Sequence, residues 1–261
     1  MIKNLSHWPR PVTMKGAFGL LCVAGALVLP GAASAAADAT SVAVLADPGR
    51  PAADVARDTD RRAADMLSFA QVQPGQTVVD FMPGKGYFTR IYSAAVGPHG
   101  AVYAVNPQLL LDKMNGKPLP PPVSGEAGRA NVHEAISSGA TLNLPVKADL
   151  VWTSQNYHDV HIWAGAAGTA QLNHAVFDAL KPGGLFVVLD HAGAAGLDDA
   201  GMAKQHRIDE ALVKQEVTAA GFVLDGESTV LHNPADPHTA SVFDPSIRGK
   251  TDQFVLRFRK P

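Results

Sequence analysis

The sequence has one cysteine in 261 residues, and only 18% of its residues are charged. A single cysteine excludes a disulfide framework and a cysteine-rich metal site. The 22 basic and 24 acidic residues give a net charge of −2, which excludes the strongly basic surface of a nucleic-acid-binding protein. At 46% hydrophobic residues, the chain is long enough for one large α/β domain or two small ones with a full core.

Long apolar runs are also scarce, and the one present lies near the N-terminus, from Ala17 to Leu29. It follows Lys3, Arg10 and Lys15 and precedes Ala33-Ser34-Ala35. A basic start, a short apolar run and a small-residue cleavage site predict a secretory signal peptide over residues 1–35, and therefore a periplasmic or secreted protein. The alternatives are an uncleaved anchor or a buried helix, but about 13 apolar residues are too few to span a bilayer.

Removal of this leader leaves 19 basic and 24 acidic residues and no cysteine. Residues 36–53 are rich in Ala, Pro and Gly, which predicts a flexible segment before a single domain over 54–261. No second long apolar run follows, so we expect no membrane association after cleavage.

Short apolar segments alternate with segments of helical periodicity along the remaining chain. Strands are predicted at 77–81, 101–105, 131–136, 149–153, 185–189, 222–224 and 254–258, and helices at 54–70, 87–96, 170–180 and 204–220. Alternating strands and helices predict a Rossmann-like doubly wound α/β sheet with parallel pairing. Ligands of such sheets bind beyond the carboxyl ends of the strands.

The first strand ends in Asp80 and a loop that contains Gly84 and Gly86. Glycines let a ligand approach the backbone closely, and the helix that follows offers free N–H groups. The loop lacks the spacing of a dinucleotide motif or a P-loop, so a tight turn without a ligand is an equal alternative.

Polar side chains follow the fourth and fifth strands. His158 and Asp159 come after the fourth strand and His191 after the fifth, and we expect all three to meet at one sheet edge. Histidine and carboxylate groups in a cleft act as general acids and bases, or they bind a divalent metal ion. His206 shares a predicted helix face with Asp209 and Glu210, for which a solvated face is the favoured interpretation.

Four segments resemble one enzyme family when they are taken together. They are Thr77 to Arg90, Asp149 to Val151 with its Asn156-Tyr157-His158-Asp159 exit, Leu180-Lys181-Pro182-Gly183-Gly184, and Gly249 to Phe254. This pattern resembles class I S-adenosylmethionine-dependent methyltransferases, in particular an exported bacterial branch. The resemblance implies seven strands, the last one antiparallel, and a cofactor pocket over the first strand.

The resemblance also implies cofactor-binding positions. Asp80, Gly84 and Gly86 match the loop near the methionine part of the cofactor, Asn106 takes the place of the ribose-binding acid, and Ser154 and Asn156 complete the set. The chain departs from the family pattern at three positions. Met82 replaces a glycine and is expected to crowd the turn, Asn106 replaces an acid, and Ser137-Ser138 stands where another acid is usual.

The sequence thus predicts a methyltransferase that uses S-adenosylmethionine and a small-molecule acceptor, with His158, Asp159 and His191 as catalytic residues. Export separates the protein from the cytoplasm, where this cofactor is made. Two alternatives therefore stay open. One is a repurposed hydrolase or lyase that uses these residues, with or without His206 and with or without a divalent metal, and the other is a non-catalytic binding module.

Overall fold

The computed structural model describes residues 41–261, and the signal peptide predicted at 1–35 lies outside them. The strands are β1 (Thr77–Phe81), β2 (Ala101–Pro107), β3 (Val132–Ser137), β4 (Ala148–Ser154), β5 (Leu180–His191), β6 (Val223–Ser228) and β7 (Gln253–Arg259). The helices are α1 (Ala52–Val55), α2 (Ala63–Ala70), α3 (Tyr87–Val96), α4 (Gln108–Met114), α5 (Tyr157–Ala179), α6 (Asp199–Gln205) and α7 (Glu210–Ala219).

The described strands form a seven-stranded sheet in the order β3-β2-β1-β4-β5-β7-β6. The first five strands pair in parallel, and β7 runs antiparallel to both β5 and β6. The strand order reverses between β1 and β4, which is where ligands bind in sheets of this kind. The Rossmann-like seven-stranded sheet with an antiparallel last strand is therefore confirmed.

Alternate residues of the central strands face two separate hydrophobic layers. On one face, Val79 and Val151 pack in a cluster with Val176 of α5 and Val217 of α7. On the other face, Trp152 packs with Ile91 and Tyr92 of α3. Burial on both faces explains why these strands are continuously apolar in sequence.

Two of the predicted helices are each divided in the structure. The helix predicted over 54–70 is two elements, α1 and α2, separated by turns over residues 56–62 that end at Arg62 with a left-handed φ of 51°. The helix predicted over 204–220 is also two elements, α6 and α7, separated at His206 with a φ of 54°. The second division matters for the site because it changes the direction of the His206 side chain.

Residues 41–53 belong to the segment predicted as flexible, and the structure gives them defined contacts. Residues 41–45 are helical, and α1 crosses the boundary predicted at residue 54. Arg50 is 5% exposed and donates to Leu45 O at 2.9 Å and to Asp58 Oδ1 at 2.6 Å. This part of the segment is therefore packed on the domain. None of the helices within residues 41–261 is both long and apolar enough to cross a membrane.

Candidate functional site

The loop after β1 is shaped by left-handed backbone at three positions. Met82, Gly84 and Gly86 have φ values of 56°, 58° and 79°. A Cβ atom at Gly86 would lie 2.2 Å from Val123 Cγ2, so only glycine fits there. A Cβ atom at Gly84 would meet no atom within 4 Å, because this part of the loop borders open space.

Met82 does not crowd this turn, so that expectation is wrong. Its side chain is 7% exposed and packs in the same buried cluster as Phe81 and Tyr157. Its N–H donates to Val105 O at 2.8 Å, and its carbonyl accepts from Asn156 Nδ2 at 2.9 Å. Left-handed backbone costs a residue with a side chain about 1–2 kcal/mol, which core packing of this methionine offsets.

A cleft of about 350 Å³ lies above β1, β2 and β3. Its polar and glycine lining comprises Gly84, Gly86, Thr89, Asn106 and Glu134, and residues 119–123 form its far wall. Glu134 faces Ala104 in the β2–β3 register, next to the strand end that carries Asn106. A carboxylate is therefore present in this cleft, although Asn106 and Ser137 occupy the strand-end positions where the family pattern has acids.

Asp80 lies beneath the cleft and is 3% exposed. Its Oδ2 accepts a hydrogen bond from Thr89 Oγ1 at 2.6 Å. Burial raises the pKa of Asp80 to about 7, while the Thr89 hydrogen bond and the positive charge of Arg61 act in the opposite direction. The ionisation of Asp80 is therefore poised near neutral pH and responds to a nearby positive charge.

His158 and Asp190 form a buried pair at the carboxyl ends of β4 and β5. His158 Nδ1 donates to Asp190 Oδ1 at 2.7 Å, and the His158 N–H donates to Asp190 Oδ2 at 2.8 Å. Burial alone would lower the pKa of His158, but the charge and hydrogen bond of Asp190 together with the charge of Asp159 outweigh burial and raise it. Burial likewise opposes ionisation of Asp190, but the charge and hydrogen bond of His158 hold its pKa below the ordinary value.

Because Asp190 engages Nδ1, the Nε2 atom of His158 faces the other members of the site. His158 Nε2 lies 3.5 Å from Asp159 Oδ1, and His206 Nδ1 lies 3.3 Å from the same oxygen. Burial and then the negative charge of Asp190 raise the pKa of Asp159, while the charge of His158 lowers it only in part. One carboxylate oxygen thus lies between two imidazole rings.

His191 lies next to this group, with its ring 6.0 Å from that of His158. Burial lowers the pKa of His191 to about 4, so it is neutral at neutral pH. Its Nδ1 lies 2.8 Å from Thr251 Oγ1, in hydrogen-bond contact. Sequence reasoning predicted that His158, Asp159 and His191 would meet, and the structure places them together.

His191 also lines a second cavity of about 350 Å³, between β4, β5 and the segment before β7. Its charged lining is Arg57, Asp60, Arg61 and Arg248, so positive charge predominates. Arg61 Nη2 donates to Gln155 Oε1 at 3.0 Å, and its guanidinium lies 4.7 Å from the Tyr87 ring centre. Burial and the charge of Arg57 lower the pKa of Arg61 to about 10.

The predicted cofactor-binding residues occupy different depths. Gly84, Gly86 and Asn106 line the cleft, whereas Asp80 lies beneath it. Asn156 connects the β4 exit to the Met82 carbonyl. The Ser154 hydroxyl is buried and has no hydrogen-bond partner among residues 41–261.

Sequence reasoning missed Asp190, Arg61 and Glu134, and it gave His206 a role in the site only under the hydrolase or lyase alternative. Asp190 directly precedes His191 in the chain but was not among the predicted site residues, and Arg61 lay in a segment predicted as helix. His206 was assigned to a solvated face, but its left-handed backbone turns it toward Asp159. A usable signal was present, because Asp209 is a good N-cap residue and here accepts from Ala211 N, which marks a new helix start.

Comparisons with known proteins give the same fold. No protein-family model and no curated protein sequence matches the chain. A putative sarcosine dimethylglycine methyltransferase from Galdieria sulphuraria has a TM-score of 0.53 and 16% identity, over 77% of this chain and 84% of that one. A SAM-dependent methyltransferase from Aquifex aeolicus has a TM-score of 0.50 and 17% identity, over 76% and 88% of the two chains. The chain has the methyltransferase fold.

The same fold carries a different chemistry in another similar structure, the [4+2]-cyclase SpnF. It has a TM-score of 0.50 and 17% identity, and the match covers 77% of this chain and 82% of that one. Function therefore has to be argued from the residues of the site.

Proposed function

We propose that this protein is an S-adenosylmethionine-dependent methyltransferase that acts on a small-molecule acceptor. The observation that supports this proposal best is that two sites lie next to each other on a methyltransferase fold. A glycine-lined cleft lies over β1 and β2, and a buried His158–Asp190 pair lies at the neighbouring strand ends. When bound, the cofactor would supply an electrophilic methyl group.

The cleft residues fit a nucleoside-containing cofactor. Gly84 and Gly86 permit close approach of the ligand to the backbone, and Asn106 and Glu134 offer an amide and a carboxylate to hydroxyl or amino groups. Asp80 beneath the loop responds to positive charge, such as the cofactor carries. Glu134 would then supply the carboxylate that Asn106 cannot.

The acceptor would bind in the cavity lined by Arg57, Arg61 and Arg248. Its volume of about 350 Å³ admits a small molecule and not a folded macromolecule. The cavity has three arginines and one acidic residue, Asp60, and this excess of positive charge favours an acceptor with a carboxylate or phosphate group. His191, which lines this cavity and is neutral at neutral pH, would accept a hydrogen bond from the acceptor and orient it, and His158, held by Asp190, would lie beside it.

The predicted signal peptide remains the reason to place this activity outside the cytoplasm. Cleavage after residue 35 would release the domain to the periplasm or the exterior. N-terminal sequencing of the exported protein would test this, and a chain that begins at residue 1 or stays in the cytoplasm would contradict it.

Calorimetry with S-adenosylhomocysteine on the purified chain tests the cofactor site. We expect binding, and we expect Glu134→Gln to weaken it about tenfold through loss of a charge-assisted hydrogen bond. Glu227→Gln removes a carboxylate on β6 and is the matched control, with no expected change. Absence of binding at millimolar ligand would refute the proposed function.

A further inference from the structure

The geometry of His158, Asp159 and His206 points to a metal site: we propose that these residues bind a divalent transition-metal ion. The three residues each offer one ligand atom, and these atoms all lie within 4.8 Å of one another. Two imidazoles and one carboxylate are a ligand set suited to zinc, iron or cobalt.

The distances are those of ligands around a metal and are long for hydrogen bonds. Asp159 Oδ1 lies 3.5 Å from His158 Nε2 and 3.3 Å from His206 Nδ1. Metal–ligand bonds of about 2.0–2.1 Å at tetrahedral angles separate neighbouring ligand atoms by about 3.3–3.5 Å. A good hydrogen bond to nitrogen would be about 2.7–3.2 Å.

Asp190 orients His158 in the way that a carboxylate behind a metal-binding histidine orients that histidine. It engages Nδ1 at 2.7 Å and leaves Nε2 for the ion. Asp190 is itself fixed by the backbone N–H groups of His158 and His191, at 2.8 and 2.7 Å. Such carboxylate–histidine–metal arrangements fix the tautomer and the ring orientation of the ligand.

The third ligand is also fixed in place. His206 ends α6 with left-handed backbone and precedes Arg207, which is fully buried. The Arg207 guanidinium donates to Ala192 O at 2.9 Å and pairs with Asp236 at 2.8 Å. The Phe243 ring packs against the His206 ring at 4.9 Å. These contacts hold His206 against β5, beside the other two ligands.

Three protein ligands leave coordination positions open. The side chains of Asp159 and His206 are 18% and 30% exposed, so the cluster is accessible on one side. Phe243 also lines the cavity of Arg57, Arg61 and Arg248, here called the arginine-rich cavity. The metal site and this cavity are therefore neighbours. A carboxylate or hydroxyl oxygen of the acceptor would complete the coordination shell. This last role rests on the proposed function, whereas metal binding does not.

The test uses the untagged protein, stripped with chelator and titrated with Zn²⁺ by calorimetry and with Co²⁺ by visible absorption. We expect one ion per chain. We expect His206→Ala and Asp159→Asn each to weaken binding at least about 100-fold, and Asp190→Asn to weaken it about 10–100-fold. The double variant His232→Ala/His238→Ala should bind as the wild type does, because those histidines lie at another carboxylate.

Circular dichroism and thermal melting of each variant separate loss of a ligand from loss of the fold. Absence of one-to-one binding, or equal binding by wild type and His206→Ala, would overturn the metal site. S-adenosylhomocysteine binding is measured on the same samples. Cofactor binding without metal binding would refute only the metal site, and metal binding without cofactor binding would refute only the proposed function.

Discussion

Within residues 41–261, two clusters each have one aspartate in contact with two histidines, and the two clusters are built differently. In the β4–β5 cluster, defined as His158, Asp159, Asp190 and His206, both rings approach one oxygen of Asp159 at 3.3–3.5 Å. In the Asp252 cluster, defined as His232, His238, Asp252 and Asp236, each ring approaches its own oxygen of Asp252, at 3.0 and 2.8 Å.

The Asp252 cluster has the geometry of structural hydrogen bonding. Asp252 also accepts from Asn233 N at 2.8 Å, and its own N–H donates to Asp236 Oδ2 at 2.7 Å. Asp236 in turn pairs with the buried Arg207. Each polar group has a close partner, so this cluster stabilises the segment between β6 and β7. Asp159 lacks such close contacts among the described residues, and its raised pKa shows that its charge is poorly compensated.

The largest expected effect is a difference in the free energy of unfolding between variants of the two clusters. Asp236→Ala should lower the free energy of unfolding by about 3–5 kcal/mol, because it leaves the buried Arg207 charge without its partner. Asp159→Ala should change it by less than about 1 kcal/mol, because the native environment disfavours that carboxylate. Urea denaturation of both variants measures the difference. Equal losses would contradict the distinction between the two clusters.

Asp252→Asn should have the next largest effect. The amide keeps the size of the side chain but loses the charge that His232 and His238 face, which should cost about 1.5–3 kcal/mol. S-adenosylhomocysteine binding should be unchanged, since Asp252 lines neither the cleft nor the arginine-rich cavity. Unfolding in urea and calorimetry give the two readings, and loss of ligand binding in a folded variant would assign a functional role to this cluster.

His191, beside the β4–β5 cluster, should make stability depend on pH. Its pKa is about 4 in the folded protein and near 6.5 when unfolded, so the unfolded chain binds an extra proton between these values. Its contribution to stability is therefore complete above about pH 6.5 and decreases as the pH falls toward 4. His191→Gln should reduce this slope in urea denaturation from pH 7 to 4.5. An unchanged slope would show that His191 is not the group responsible.

The smallest expected effect concerns Phe243, which covers the His206 ring and is 57% exposed. Phe243→Ala should lower the free energy of unfolding by about 0.5–1 kcal/mol, because an exposed edge-to-face contact buries little area. Under the metal-site proposal, Co²⁺ should bind the variant with a changed visible spectrum, since the environment of one ligand has altered. Thermal melting and absorption measure both, and a loss above about 2 kcal/mol would show that this contact stabilises the fold.

Local patterns in the sequence predicted most of the sheet. Continuous apolar strands and the glycine turns between elements mark β1, β4 and β5 because burial on both faces demands such sequences. The loop with Gly84 and Gly86 is readable for a similar reason, since its conformation depends on residues adjacent in the chain. The division at His206 was missed because helical periodicity continues across it, although Asp209 marks a new helix start.

The sequence by itself determined the doubly wound sheet, the glycine loop and the meeting of His158 with His191 at one edge. Those features follow from periodicity, from left-handed backbone and from the rule that parallel strands end together. Only the tertiary structure decided that Asp190 orients His158, that Glu134 reaches the cleft and that His206 shares Asp159. Those contacts join residues 30 to 47 positions apart in the chain, and their distances depend on strand register and on one left-handed residue between two helices.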